Sequence, residues 1–141
     1  VAIGVLWRDQ VTYIFHGSLD NDLDQGIGRV NLHPASQSSI GMILSAQQSD
    51  EILNYLYPEQ CPGYEHKDAF MQAINEARTL SYAAIRSETQ VPHYRLAVPI
   101  ATQSSADAKP SIALAFSGID ISADLDPFVQ ELQLIASRMS L

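Results

Sequence analysis

The sequence predicts an α+β domain in which an antiparallel sheet is flanked by helices. Two runs, Tyr94–Ile100 and Ser111–Ser117, alternate large and small side chains with the period of two that marks a strand. A further run, Tyr82–Ile85, precedes them with no helix-length segment between, so the three should form an antiparallel meander. Apolar residues at steps of three and four mark helices on either side of this meander, and their stripes must be buried against a sheet.

In chain order, Ala2–Trp7 and Val11–Phe15 are β-rich runs around Arg8-Asp9-Gln10, which predicts a hairpin. Gly17–Gly28 reads as an acidic, glycine-containing loop, without the spacing or closing Glu of a calcium loop. Gly28–Leu32 fits a short strand that His33-Pro34 should break. Ser36, Ser38 and Ser39 are cap candidates for a helix to about Ala46, with Ile40, Ile43 and Leu44 on one side and Gly41 inside. Ser49-Asp50-Glu51 begins a second helix with Ile52, Leu53 and Leu56 as its stripe, and the acids suit the positive end of its dipole. Asp68–Leu80 is a third helix facing inward through Phe70, Ile74 and Ala77, with Glu76 and Arg78 expected in solvent. Asp126-Pro127 places an acceptor at an N-cap and a proline at the first helical position. Phe128, Leu132, Ile135 and Met139 then form a stripe that Val129 and Ala136 widen. The order is β-β-(β)-α-α-α-β-β-β-α, and no phosphate loop or internal repeat occurs.

The central strand pair has two unequal faces. Tyr94, Leu96, Val98, Ile100, Ile112, Leu114 and Phe116 make one face large and apolar. The other carries Ala97, Pro99, Ser111, Ala113, Ala115 and Ser117, with Arg95 as its one long side chain. Small groups leave space, which either a closely packed helix or a small molecule must fill.

At 141 residues the chain has the length of one domain, 1–141, able to bury roughly two thirds of its extended surface. Its formal charge of −8 argues against direct nucleic-acid binding, which needs a basic surface. No apolar run approaches the ~20 residues that span a bilayer, and no signal peptide is visible. Cys61 is the single cysteine, so an intrachain disulfide and a thiolate metal cluster are excluded and a cytoplasmic location is expected. In its turn-rich stretch Cys61 should be an inert surface or half-buried group. The chain starts at Val1 in a strand pattern, as expected of a domain taken from a longer protein.

Nothing points to an enzyme. His16, His33, His66 and His93 form no paired metal motif, and there is no Gly-x-Ser-x-Gly elbow. No catalytic residue, metal ligand or cofactor is assigned.

The motifs taken together resemble the effector-binding domain of the IclR-type bacterial transcription regulators. Val5–Tyr13, with Asp9-Gln10-Val11 at its turn, is similar to that family's opening hairpin. Gly41 followed by Ile43-Leu44-Ser45-Ala46 resembles its Gly-Lys-x-Leu-Leu-Ala helix. Arg78 and Leu80-Ser81-Tyr82-Ala83 resemble its Arg-x-x-Gly-Tyr-Ala turn into a strand, with Glu88 at the expected distance. Leu96-Ala97-Val98-Pro99-Ile100 and Ala113–Gly118 resemble its Val-Ala-x-Pro-Val and Ser-x-Ser-Gly strands, so that the match covers nearly the whole chain. Departures are specific: Met42 replaces a Lys, Ser81 a Gly, Arg95 a pocket Cys, and Ala115 the first serine of Ser-x-Ser. Ser38 and Ser39 stand where Thr and Ala are usual.

The resemblance implies a GAF-like sensor domain that binds a small organic acid, sugar acid or aromatic acid. It also implies assembly as a homodimer or homotetramer, and contact with DNA only through an N-terminal helix-turn-helix domain of the parent protein. The expected ligand-binding set is Ser38, Ser39, Gly41, Met42, Arg95, Ala97, Ala115 and Ser117. The alternative is a structural or dimerisation domain whose pocket is filled by its own side chains.

Overall fold

The alternation of large and small residues is realised as a two-faced sheet in the computed structural model of the chain, which describes residues 1–18, 31–102 and 109–139. Its strands are β1 (Ala2–Trp7), β2 (Gln10–His16), β3 (Leu32–Pro34), β4 (Ala83–Ser87), β5 (His93–Ile100) and β6 (Ile112–Asp120). They lie in the order β3-β2-β1-β6-β5-β4, with every neighbouring pair antiparallel. The helices are α1 (Ser39–Ser45), α2 (Asp50–Leu56), α3 (Lys67–Leu80) and α4 (Asp126–Arg138), and a 3₁₀ turn, Ala35–Gln37, leads into α1. This is the α+β architecture expected, an antiparallel sheet flanked by helices, with the β4-β5-β6 meander in place. Most of the acidic loop Gly17–Gly28, the first part of the Gly28–Leu32 run and residues 103–108 of the β5–β6 connection lie outside the described residues.

Register explains the division of the core. Ala83, Ala97, Ala115 and Ala2 stand side by side across β4, β5, β6 and β1, and Pro99, Ala113 and Gly4 form the next row. These low rows let α1 lie close to the sheet, and every residue of α1 is buried. Phe70, Ile74 and Ala77 of α3 close the same cluster from outside, as their spacing predicts. On the opposite face Leu96, Val98, Ile100 and Leu114 are covered by α4.

Gly41 is required by close approach. A Cβ there would overlap backbone atoms of Ala35, so the helix and the turn before it touch through their main chains. Gly118 meets a different need. Arg95 pairs with Ser117 and Tyr94 with Ile119, which leaves Gly118 as the extra residue of a β-bulge, with φ of +83°.

Several local expectations are corrected by tertiary contacts. His33-Pro34 does not break a strand but belongs to β3, because β3 is an edge and the missing proline amide leaves no ladder bond unmade. α3 begins one residue early, with His66 at the N-cap and its Nδ1 accepting from the Ala69 amide at 3.2 Å. α4 is not capped by Asp126, which lies in its first turn, while the Asp124 carboxylate accepts the Asp126 amide. The buried face of α4 is Val129, Leu132 and Ala136, and Phe128 and Ile135 are partly exposed. The same three-and-four spacing fits both stripes, and contact with the sheet selects the one that includes the smaller residues.

Arg78 is not a solvated helix residue. It donates to the carbonyls of Ala46 and Gln48 at 3.0 and 2.7 Å and pairs with Asp50 at 2.7 Å, tying the end of α1 to the start of α2. Ser81 ends α3 in the left-handed region, φ +63°, where the resembling family has glycine. Cys61 is buried rather than half-buried. Among the described residues no helix is long and apolar enough to cross a membrane.

Two outcomes follow for stability. Gly41→Ala should lower unfolding free energy by about 3 kcal/mol in urea titration, since backbone rather than a mobile side chain must give way. Burial first, then the Asp9 carboxylate and Cys61, push the Tyr57 phenol far above its usual value. The unfolded chain therefore ionises this group first, so stability present below about pH 10 should fall as pH rises further, and Tyr57→Phe should flatten that fall.

Candidate functional site

The small-residue face is not an open floor along its length. Ala97 and Ala115 are covered, and with Ala83 they belong to the cluster formed by α1 and α3. The close-packed helix thus fills most of the space that the strand pattern leaves. The row beyond the alanines differs. There Ile85, Arg95 and Ser117 lie side by side across β4, β5 and β6, where the bulge at Gly118 interrupts the ladder. Ser117 is exposed and Arg95 is half-buried.

Arg95 reaches from this row to the chain just before α1. Its Nη2 donates to the Gln37 carbonyl at 3.3 Å, while its Nε is buried without a hydrogen-bond partner. Ion pairs among the described residues join Arg78 to Asp50 and Arg86 to Glu88, and none involves Arg95. A guanidinium in this position retains donor capacity and positive charge that no carboxylate of the described chain neutralises.

Ser38 is the N-cap of α1. Its Oγ accepts from the Gly41 amide at 3.3 Å and shares a 3.0 Å hydrogen bond with the Tyr13 hydroxyl. Ser39 opens the helix and is buried. Gly41 lies against the Ala35 backbone. Thus Arg95, Ser117 and the Gln37–Ser38 entry to α1 meet at one end of the face, whereas Gly41, Ala97 and Ala115 sit inside packed protein.

Met42 points to a separate space. A cavity of about 260 Å³ at the β4 edge is lined by Met42, Tyr64, Ala77, Tyr82, Ala83 and Ile85, among others. Of the expected ligand-binding residues, Met42 alone lines it. Tyr64 donates its hydroxyl to the Met42 sulfur at 3.8 Å and packs edge-on against Phe70. Burial and the neighbouring Cys61 raise the Tyr64 pKa, so this phenol is a neutral donor at physiological pH. Tyr64 and Ile85 carry no signal of a site in the sequence: Tyr64 sits in a turn-rich connection with no periodicity, and Ile85 has the pattern of an ordinary strand residue. Among the described residues no group of three or more His, Cys, Asp or Glu side chains is placed to hold a metal ion.

No protein-family model matches the chain, and no curated relative matches it in sequence. Solved structures do match. The Agobacterium tumefaciens repressor BlcR superposes with a TM-score of 0.78 at 18% identity over 99% of this chain, which spans 57% of the BlcR chain. The inducer-binding domain of the Acinetobacter transcription factor PobR, a double mutant in complex with 3-hydroxybenzoic acid, gives 0.74 at 18% identity over 99% of this chain and 86% of that domain. An IclR homolog from Microbacterium hydrocarbonoxydans, complexed with 4-hydroxybenzoate, gives 0.71 at 20% identity over 96% of this chain and 56% of that one. The chain has the fold of the effector-binding domain of IclR-type transcriptional regulators.

Proposed function

We propose that this domain senses a small organic acid and passes its occupancy, through a rearranged dimer or tetramer, to a DNA-binding domain elsewhere in the parent protein. The observation that carries this reading is Arg95, a half-buried guanidinium with an unpartnered Nε and no ion pair among the described residues. An incoming carboxylate supplies the counter-charge and acceptors that such a group lacks. Ser117, its cross-strand neighbour, offers a hydroxyl to the same ligand. Ser38 and Ser39 bound the site where Arg95 reaches Gln37, and Met42 lies on the adjoining cavity wall. Gly41, Ala97 and Ala115 shape the space by holding α1 close to the sheet.

The fold supports the reading, because two of the similar structures hold hydroxybenzoates, small aromatic acids. The departure from a neutral pocket residue to Arg95 favours an anionic group near β5. For the signal to reach DNA, the acid must bind two subunit arrangements with different affinity. The burial of Ala97 and Ala115 favours a second reading, a purely structural dimerisation domain.

Thermal unfolding against hydroxybenzoates, sugar acids and short dicarboxylates separates the two. A ligand at about 100 times its Kd should stabilise the fold by about 2.7 kcal/mol. Arg95→Ala should weaken that ligand by tenfold or more, about 1.4 kcal/mol, and Ser117→Ala should weaken it less. Absence of any saturable shift across the panel, or unchanged affinity in Arg95→Ala, would overturn the acid-sensing reading and favour the structural one.

A further inference from the structure

α4 has two apolar faces, and the sheet covers one of them. Val129, Leu132 and Ala136 are buried against it. About 120° round the helix, Phe128, Leu134 and Ile135 are 37%, 46% and 39% exposed and form a second stripe at helical spacing. The remaining flank, with Gln130, Gln133 and Ser137, is polar.

The second stripe looks in a fixed direction. Phe128 stacks on Phe116 of β6, with ring centroids 6.2 Å apart. β6 lies between β5 and β1, so the stripe faces across β6 toward β1. Gly4 of β1 faces α1, since a Cβ there would meet Ile40. Ile3, Val5 and Trp7 therefore stand on the opposite side of the sheet, which is the α4 side. α4 packs on β5 and β6, and Trp7 is left 61% exposed. The outer face of α4 and this strip of β1 thus make the wall and floor of an apolar corner.

Charge indicates what fits the corner. Glu131 and Arg138 are exposed on the same stripe, seven residues or about 10 Å apart along the axis. Their own helix offers neither a partner, because Leu134 and Ile135 occupy the positions three and four away from each of them. Neither forms an ion pair with another described residue. A two-fold axis makes such a stripe complementary to itself, since residue i then faces j and j faces i. With the axis between Leu134 and Ile135, an antiparallel second α4 sets its Arg138 against Glu131 and its Glu131 against Arg138. The apolar side chains meet at the centre and the charges lie outside them, as in protein interfaces generally.

We infer that α4 pairs antiparallel with the α4 of a second copy of this chain, each helix seated in the corner between its twin and the β1 strip. A helix of 13 residues is about 20 Å long, and one such ridge is smaller than the roughly 800 Å² per copy that stable pairs bury. The strip of β1 must therefore take part. Each copy carries −8, but the pairing stripe is neutral, with one carboxylate and one guanidinium. The pairing gives a surface to the assembly proposed above and rests on that reading for its use in signalling, while its formation requires no acid.

The test is sedimentation of the 141-residue chain over a concentration series with no acid added, read together with the emission of Trp7, the only tryptophan. At about 0.15 M salt, where the net charges are screened beyond ~8 Å, the chain should pair and Trp7 emission should shift to the blue as it does. Ile135→Glu should weaken pairing by about a hundredfold and leave the circular dichroism of the fold unchanged. Glu131→Arg and Arg138→Glu should each weaken it by about tenfold, since each sets like charges against one another twice. Mixed together, these two variants should pair as tightly as the unaltered chain, because every facing pair then has opposite signs. Mixing would not cure a fold defect in either. A chain still monomeric at about 1 mM, unchanged pairing in Ile135→Glu, pairing without a Trp7 shift, or charge variants that pair no better mixed than alone would each overturn the inference. Acid binding at Arg95 is read separately by the thermal panel, so failure of one leaves the other standing.

Discussion

The close seating of α1 on the sheet is the constraint on which the rest of the molecule depends. A short helix buried along its whole length has no solvated face, so its neighbours must match it on every side. On the sheet side the match is made by alanines aligned across four strands. At the N-terminal side it is made by main-chain contact between Gly41 and the Ala35 turn. Larger side chains at either place would lift the helix, open the core and carry α3 outward with it. The sheet's other face has no such restriction, and there large aliphatic residues meet α4 in ordinary layer packing.

Polar groups complete what packing begins. The three-way hold of Arg78 on Ala46, Gln48 and Asp50 satisfies carbonyls where α1 ends, and it fixes the turn into α2. Ser38 closes the opposite end and links it to Tyr13 on β2. Ser36 donates to the Pro62 carbonyl at 2.6 Å, which fastens the α2–α3 loop over the entry to α1. α1 is therefore fixed at both ends by hydrogen bonds to distant segments. Hydrogen bonds of this kind add about 1 kcal/mol each, and their main effect is to select one arrangement of otherwise similar apolar surfaces.

This arrangement also separates the two polar regions. Arg95, without an ion pair among the described residues, stands in the row where the alanines end, and the α2–α3 loop borders a space lined by Asp9, Tyr57 and Glu65.

Sequence alone determined the layer architecture, because alternation in β5 and β6 and the three-and-four spacing in α3 are local properties that survive in any context. The meander, the cap at Ser38, the first turn of α2 and the inward face of α3 were legible for that reason. The departures of Met42, Ser81, Arg95 and Ala115 were legible too, as single residues. What only the tertiary structure decided was which of two equivalent stripes of α4 is buried, whether Arg78 is solvated, and whether small residues make a floor or a seat. Each depends on which surface arrives opposite, and one-dimensional spacing carries no record of that. The same holds for the sites. Arg95 was identifiable as an odd cation on a small-residue face, but that it has no ion pair among the described residues is a fact of spatial neighbours. Tyr57 gave no signal at all, because a tyrosine at a helix end acquires meaning only when its hydroxyl is buried without a partner.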